Sequence, residues 1–124
     1  MKGTDYYAEY LGIKLLESKD GYCKVTMQVQ KNHTNAYGMT HGGVLFSLAD
    51  YAFAQACNYG ENMAVALQAS INYLKATSEG DVLTAEAQRV SEGRTTGLYH
   101  VTVRKDETAV AFFSGVAYKK ARAV

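Results

Sequence analysis

The chain has 124 residues, 48% hydrophobic and 20% charged, which is long enough to bury a core without disulfides or metal, and it predicts one globular domain over residues 1–124. Thirteen basic residues against twelve acidic ones leave a net charge of +1, so no bulk electrostatic case exists for nucleic acid or an anionic membrane as partner. Cys23 and Cys57 stand apart in apolar settings with no CxxC or Cys/His spacing; they read as reduced core thiols, with no metal site and a reducing, cytoplasmic setting.

The opening residues MKGTDYYAEYLG hold no apolar run, so no signal peptide is expected. Residues 4–11 predict a short helix, capped by Thr4 or Asp5 and ended by Gly12. Residues 13–17 read as a strand, and Asp20-Gly21 as the turn into the next one. From Tyr22 the pattern alternates, with Cys23, Val25, Met27 and Val29 on one side and Lys24, Thr26, Gln28 and Gln30 on the other. Residues 31–40, KNHTNAYGMT, have no period and predict a polar loop. Residues 41–58, HGGVLFSLADYAFAQACN, predict a helix of about five turns, with Gly60 as a left-handed C-terminal cap. Four strands follow, at 65–73, 82–90, 98–104 and 108–118, with turns at Ser91–Arg94 and Lys105–Glu107. The last strand is apolar enough to be buried on both faces. In the strand at 65–73 the odd residues are apolar and the even ones, Ser70 among them, polar. The tail KKARAV is basic and expected to fray.

The helix dominates this order. Its apolar residues cover nearly the whole circumference, so it should be buried on most sides, while it is too short and too polar for a membrane span. One buried helix and one antiparallel sheet make an α+β arrangement in which the sheet must curl around the helix. Asp50 lies two turns into this helix with no Lys or Arg at three or four residues on either side. Such a charge is costly to bury unless it is bonded from elsewhere. Gly42 and Gly43 open the helix, where the first N–H groups have no internal acceptor and sit at the positive end of the dipole. One stretch therefore offers an unpaired carboxylate and a donor site for a developing oxyanion.

Asn35, then His41-Gly42-Gly43, then Leu48-Ala49-Asp50, with the INYL strand and the Gly80-Asp81 turn in the right order, resemble the hotdog-fold acyl-CoA thioesterases of the PaaI type. The likeness runs from about residue 8 to residue 118. It departs at Lys75-Ala76, where relatives often carry a basic residue followed by proline. The resemblance implies a hotdog fold, one long helix wrapped by a curved antiparallel sheet. It also implies an acyl-CoA substrate, no cofactor, and a homodimer or homotetramer whose active sites lie at the subunit interface. Asp50 is about 10 Å along the helix from Gly43, too far for both to reach one thioester within a single chain.

On that resemblance the expected reaction is thioester hydrolysis. The Gly42 N–H, helped by Gly43, would bind the thioester oxygen. Asp50 would act as general base on water or attack directly. Asn35 would position the water or thioester, His41 would shape the helix entry, and Ser70 would line the site. Each residue also has a plainer reading: Asp50 as a structural carboxylate bonded across an interface, Asn35 as a turn residue, His41 as structural and not a proton carrier. His33 and His100 are expected to be exposed or satisfied. Lys31, Lys75, Lys119, Lys120 and Arg122 are candidates for the CoA phosphates, with a solvated surface as the default. Two alternatives stay open: a dehydratase of the same fold, and a protein that binds acyl-CoA without cleaving it.

Overall fold

In the computed structural model, which describes residues 3–120, the elements begin and end on local signals. Helix α1 (Tyr6–Leu11) starts where Asp5 accepts the Ala8 N–H at 3.0 Å and stops at Gly12, whose φ of 77° suits a residue without Cβ. Strands β1 (Lys14–Lys19) and β2 (Tyr22–Gln28) are joined by the Asp20-Gly21 turn. Helix α2 (Gly42–Cys57) follows, then β3 (Ala64–Tyr73), β4 (Val82–Glu92), β5 (Thr96–Lys105) and β6 (Thr108–Lys119). The strands form one antiparallel sheet in the order β1-β2-β4-β5-β6-β3. This is the hotdog arrangement, with α2 lying across the inner face against β4, β2 and β5.

The core sits between that face and α2. Cys23, Val25, Met27 and Val29 are buried as the alternation in β2 requires, and Leu83, Ala85, Ala87, Tyr99, Val101 and Val103 meet them from β4 and β5. Phe53 of α2 anchors the seam, edge-on to Tyr99 at 5.5 Å between ring centroids and tilted against Phe113 at 5.7 Å. A Cβ at Gly115 would stand 3.0 Å from both the Phe53 and Phe113 rings, so β6 must carry glycine where α2 presses closest. Both cysteines are free and buried, and burial pushes their thiols up, Cys23 to about 12 and Cys57 to about 11.

Several expectations need correction. The sheet covers one side of α2 only; Ser47, Asp50, Tyr51 and Ala54 form a half-exposed stripe on the other, partly overlain by α1. A curved sheet of one chain covers only one side of a rod. Asn58 rather than Gly60 closes α2, donating Nδ2 to the Ala54 carbonyl and accepting the Ala64 N–H; Gly60 takes its left-handed φ of 62° in the turn beyond. The loop at 31–40 opens with a turn of 3-10 helix at Lys31–His33, held by reciprocal bonds between Gln30 and His33. Ser91 and Glu92 extend β4 instead of making the turn. β6 is buried on its inner face only, with Phe112, Ser114 and Val116 half-exposed on the outer one.

In β3 a bulge between Ala66 and Gln68 reverses the alternation, so the odd residues do not share one face along the strand. Beyond the bulge Ala69, Ile71 and Tyr73 lie opposite Gly115, Phe113 and Ala111 on the inner face, and Ser70 lies opposite Ser114 on the outer one. Of the basic tail, Lys119 closes β6 and Lys120 donates its backbone N–H to Met63 at 2.8 Å; Arg122 lies outside the described residues. Among the described residues no helix is long and apolar enough to cross a membrane.

Candidate active site

The tip of α2 is built by its cap. His41 holds extended backbone angles, φ −61° and ψ 136°, and its Nδ1 accepts the Gly43 N–H at 2.9 Å. Nδ1 is therefore the unprotonated ring nitrogen, and the Gly43 N–H is already engaged. Val44 and Leu45 both donate to the His41 carbonyl, at 2.9 and 3.4 Å. The His41 N–H in turn donates to the His33 carbonyl at 2.8 Å, tying the tip to the 3-10 turn. Of the first N–H groups of α2, that of Gly42 alone has no acceptor among the described residues.

Gly42 lines a groove of about 360 Å³ together with Asn35, Met39, Leu45, Tyr73 and Lys75. The loop carrying Asn35 is strapped down on both sides. The Asn35 Oδ1 accepts the N–H groups of Tyr37 and Met39, at 2.9 and 3.1 Å. That makes Asn35 the organiser of its own loop, as the plainer reading had it. Only its Nδ2 remains to face a ligand, so Asn35 can donate to one but cannot accept. Thr40 and Thr77, both buried, bond through their hydroxyls at 2.7 Å, and the Thr40 N–H meets the Thr77 carbonyl at 2.8 Å.

Asp50 lies on the half-exposed stripe, and its carboxylate has no hydrogen-bond or ion partner among the described residues. Burial raises its pKa, and the Asp5 carboxylate at the start of α1 raises it further. The carboxylate is thus neither sealed in the core nor paired with a cation among the described residues. Ser47 stands between it and the tip on the same stripe, its Oγ donating to the Gly43 carbonyl at 2.8 Å and meeting the Tyr7 hydroxyl at 3.1 Å.

The chain brings Asn35 and Gly42 to one groove, with His41 and Gly43 beside Gly42 at the helix tip but not in the groove lining. It does not bring Asp50 to that groove, and Ser70, exposed on the outer face of β3, is on the far side of the sheet. Reading the sequence missed Ser47 and Tyr73. Ser47 was reachable, lying one turn from both Gly43 and Asp50; Tyr73 was not, since 31 residues separate it from the Gly42 carbonyl to which it donates. His33 is buried, with Nδ1 accepting the Gln30 N–H, and His100 is half-buried, edge-on to Phe112 at 5.1 Å. A second cavity, about 240 Å³, lies near the other end of α2. Four of its charged residues pair with one another, Arg89 with Asp20 and Glu92 at 3.3 and 3.1 Å and Lys119 with Glu92 at 2.7 Å. No three potential metal ligands cluster among the described residues.

Residues 37–112 match the family described as the thioesterase superfamily. Over 120 residues the chain is 40% identical to acyl-coenzyme A thioesterase PaaI of Escherichia coli, covering 96% of this chain and 86% of that protein. The solved structure of the E. coli PaaI protein superposes with a TM-score of 0.92 at 38% identity, covering 96% of this chain and 87% of that one. The structure of smu.793 from Streptococcus mutans, bound to acetyl CoA, superposes with a TM-score of 0.84 at 32% identity, covering 90% and 91%.

Proposed function

From the premise that this chain belongs to the thioesterase superfamily, we propose that it hydrolyses the thioester of an acyl- or aryl-acyl-CoA to the free acid and CoA. One observation carries the reading: α2 bears an N–H without an acceptor at its tip and an unpartnered, half-exposed carboxylate two turns on. A water molecule attacks the thioester carbon and gives a proton to Asp50. The Gly42 N–H takes the oxygen as it becomes negative. The C–S bond then breaks, and the sulfur leaves as thiolate and is protonated. One such donor is worth about 3–4 kcal/mol of barrier in other enzymes. Direct attack by Asp50, with a mixed anhydride that water then opens, uses the same two groups. Asn35 donates through Nδ2 to the thioester or the water, and His41 holds the tip in shape.

The two groups lie about 12 Å apart along one rod, so the reaction needs a second copy to bring its Asp50 to this tip. The edges of the sheet support that assembly. β1 is short, bulged, and carries Lys14, Glu17 and Lys19. β3 has ten residues and no charge, with Val65 and Leu67 47% and 60% exposed. We read β3 as the seam of a homodimer, which two of its kind extend to a tetramer, and the two buried thiols as fitting a reducing, cytoplasmic setting. Lys75 is the one Lys or Arg lining the groove, and we read it as a contact for the CoA phosphates.

The test is thiol release, followed with a thiol-reactive dye over acetyl-, hexanoyl-, decanoyl- and phenylacetyl-CoA. Asp50→Asn keeps the fold by circular dichroism and loses at least about a hundredfold in kcat, the lower range for a lost general base. Near-normal turnover in that variant removes the mechanism. Saturable binding of the esters with no thiol released by the unaltered chain makes this a binding protein instead.

A further inference from the structure

We infer that Tyr73 is the positioning residue for the oxyanion donor, clamping the Gly42 backbone so that the first N–H of α2 is presented to the groove in one orientation. This deepens the hydrolase reading above and rests on it. Two glycines in succession make the loosest start a helix can have, because neither carries a Cβ to restrict φ and ψ. A donor that stabilises a developing charge must nevertheless be fixed before the charge appears. Something outside the helix must supply the rigidity that the Gly-Gly pair lacks.

His41 supplies part of it from the N-terminal side, through the 2.9 Å bond from Gly43 to its Nδ1. Tyr73 supplies the rest from across the fold. Its hydroxyl donates to the Gly42 carbonyl at 3.0 Å. Its ring lies where a side chain at position 42 would be: a Cβ there would stand 3.1 Å from Cζ, 3.2 Å from Oη and 3.4 Å from Cε1. Hydroxyl and ring thus bear on the same residue, one on the carbonyl and one on the Cα. Glycine at position 42 is matched to tyrosine at position 73, as well as leaving room for a substrate.

The tyrosine is itself held. The bulge at Ala66–Gln68 sets the register that turns Tyr73 to the inner face opposite Ala111. The next two residues, Leu74 and Lys75, both donate their N–H groups to the Val110 carbonyl, at 2.8 and 3.2 Å. The clamp is therefore anchored in β6, and Tyr73, 53% exposed, also lines the groove as a wall for the acyl-CoA.

The experiment measures kcat and KM of Tyr73→Phe and Tyr73→Ala on whichever of the four acyl-CoAs the unaltered chain turns over fastest. Light scattering and thermal unfolding accompany each variant. Tyr73→Phe keeps the ring and loses one hydrogen bond, and its kcat falls about fivefold with KM nearly unchanged. Tyr73→Ala frees the tip, and its kcat falls about thirtyfold or more, as small misplacements of a catalytic group do. A kcat for Tyr73→Ala within twofold of the unaltered chain, whatever KM does, overturns the clamp and leaves Tyr73 as groove wall only; any larger loss supports it. If Tyr73→Ala does not fold or changes its assembly, Tyr73→Phe decides, a kcat below half supporting the clamp and a kcat above half overturning it. Asp50→Asn keeps the two readings apart. Turnover retained there sinks the hydrolase mechanism, whereas turnover lost there but kept in the Tyr73 variants sinks only the clamp.

Discussion

Asp50 shows how a single side chain is tuned by where the chain places it. Half-burial in α2 disfavours its charge, and the Asp5 carboxylate adds repulsion from the start of α1. Both push its pKa up. If Asp50 is the general base proposed above it works only when ionised, and the acid limb of kcat/KM is then expected above the ordinary aspartate value of about 3.9. Removing the Asp5 charge lowers that pKa, and the limb moves to lower pH. Asp5→Asn is the suitable variant, because asparagine caps a helix as well as aspartate and α1 keeps its start. The pH profile of that variant should shift to the acid side with its plateau intact. A limb that stays in place shows that Asp5 does not act on the base.

The elements owe their positions to the contact between α2 and the sheet. Phe53 fills the seam among Tyr99, Phe113 and the vacancy left by Gly115, and it is 1% exposed. Phe53→Ala leaves a cavity that backbone glycine cannot close, and its cost is about 3–5 kcal/mol in urea unfolding. A loss under about 1 kcal/mol would mean that the seam repacks and that α2 is held elsewhere. The ends of α1 and α2 were read from the sequence to within one or two residues, because caps act over three or four residues. The bulge in β3 was not readable. It exists only in the pairing with β6, whose partner residues lie more than forty positions away.

The two sheet edges differ in kind, and the difference bears on how copies meet. A charge set into the uncharged edge strand should repel its counterpart wherever β3 joins another β3. If two copies join through β3 as proposed, Leu67→Lys is expected to give a monomer by light scattering and to lose at least about tenfold in thiol release, each tip then lacking the carboxylate of the other copy. A monomer with full activity would contradict a shared site.

The succession of strands along the chain, the central helix, its Gly-Gly tip and the lone acid within it were determined by the sequence alone, because period, caps and turns are short-range properties of neighbouring residues. Which side of α2 stays open, which face of β3 Ser70 occupies, that the Gly43 N–H is taken by His41, and that Tyr73 reaches Gly42 were decided only by the tertiary structure. Each depends on strand register and on the meeting of residues far apart in the chain, where a shift of one position turns a side chain to the opposite face.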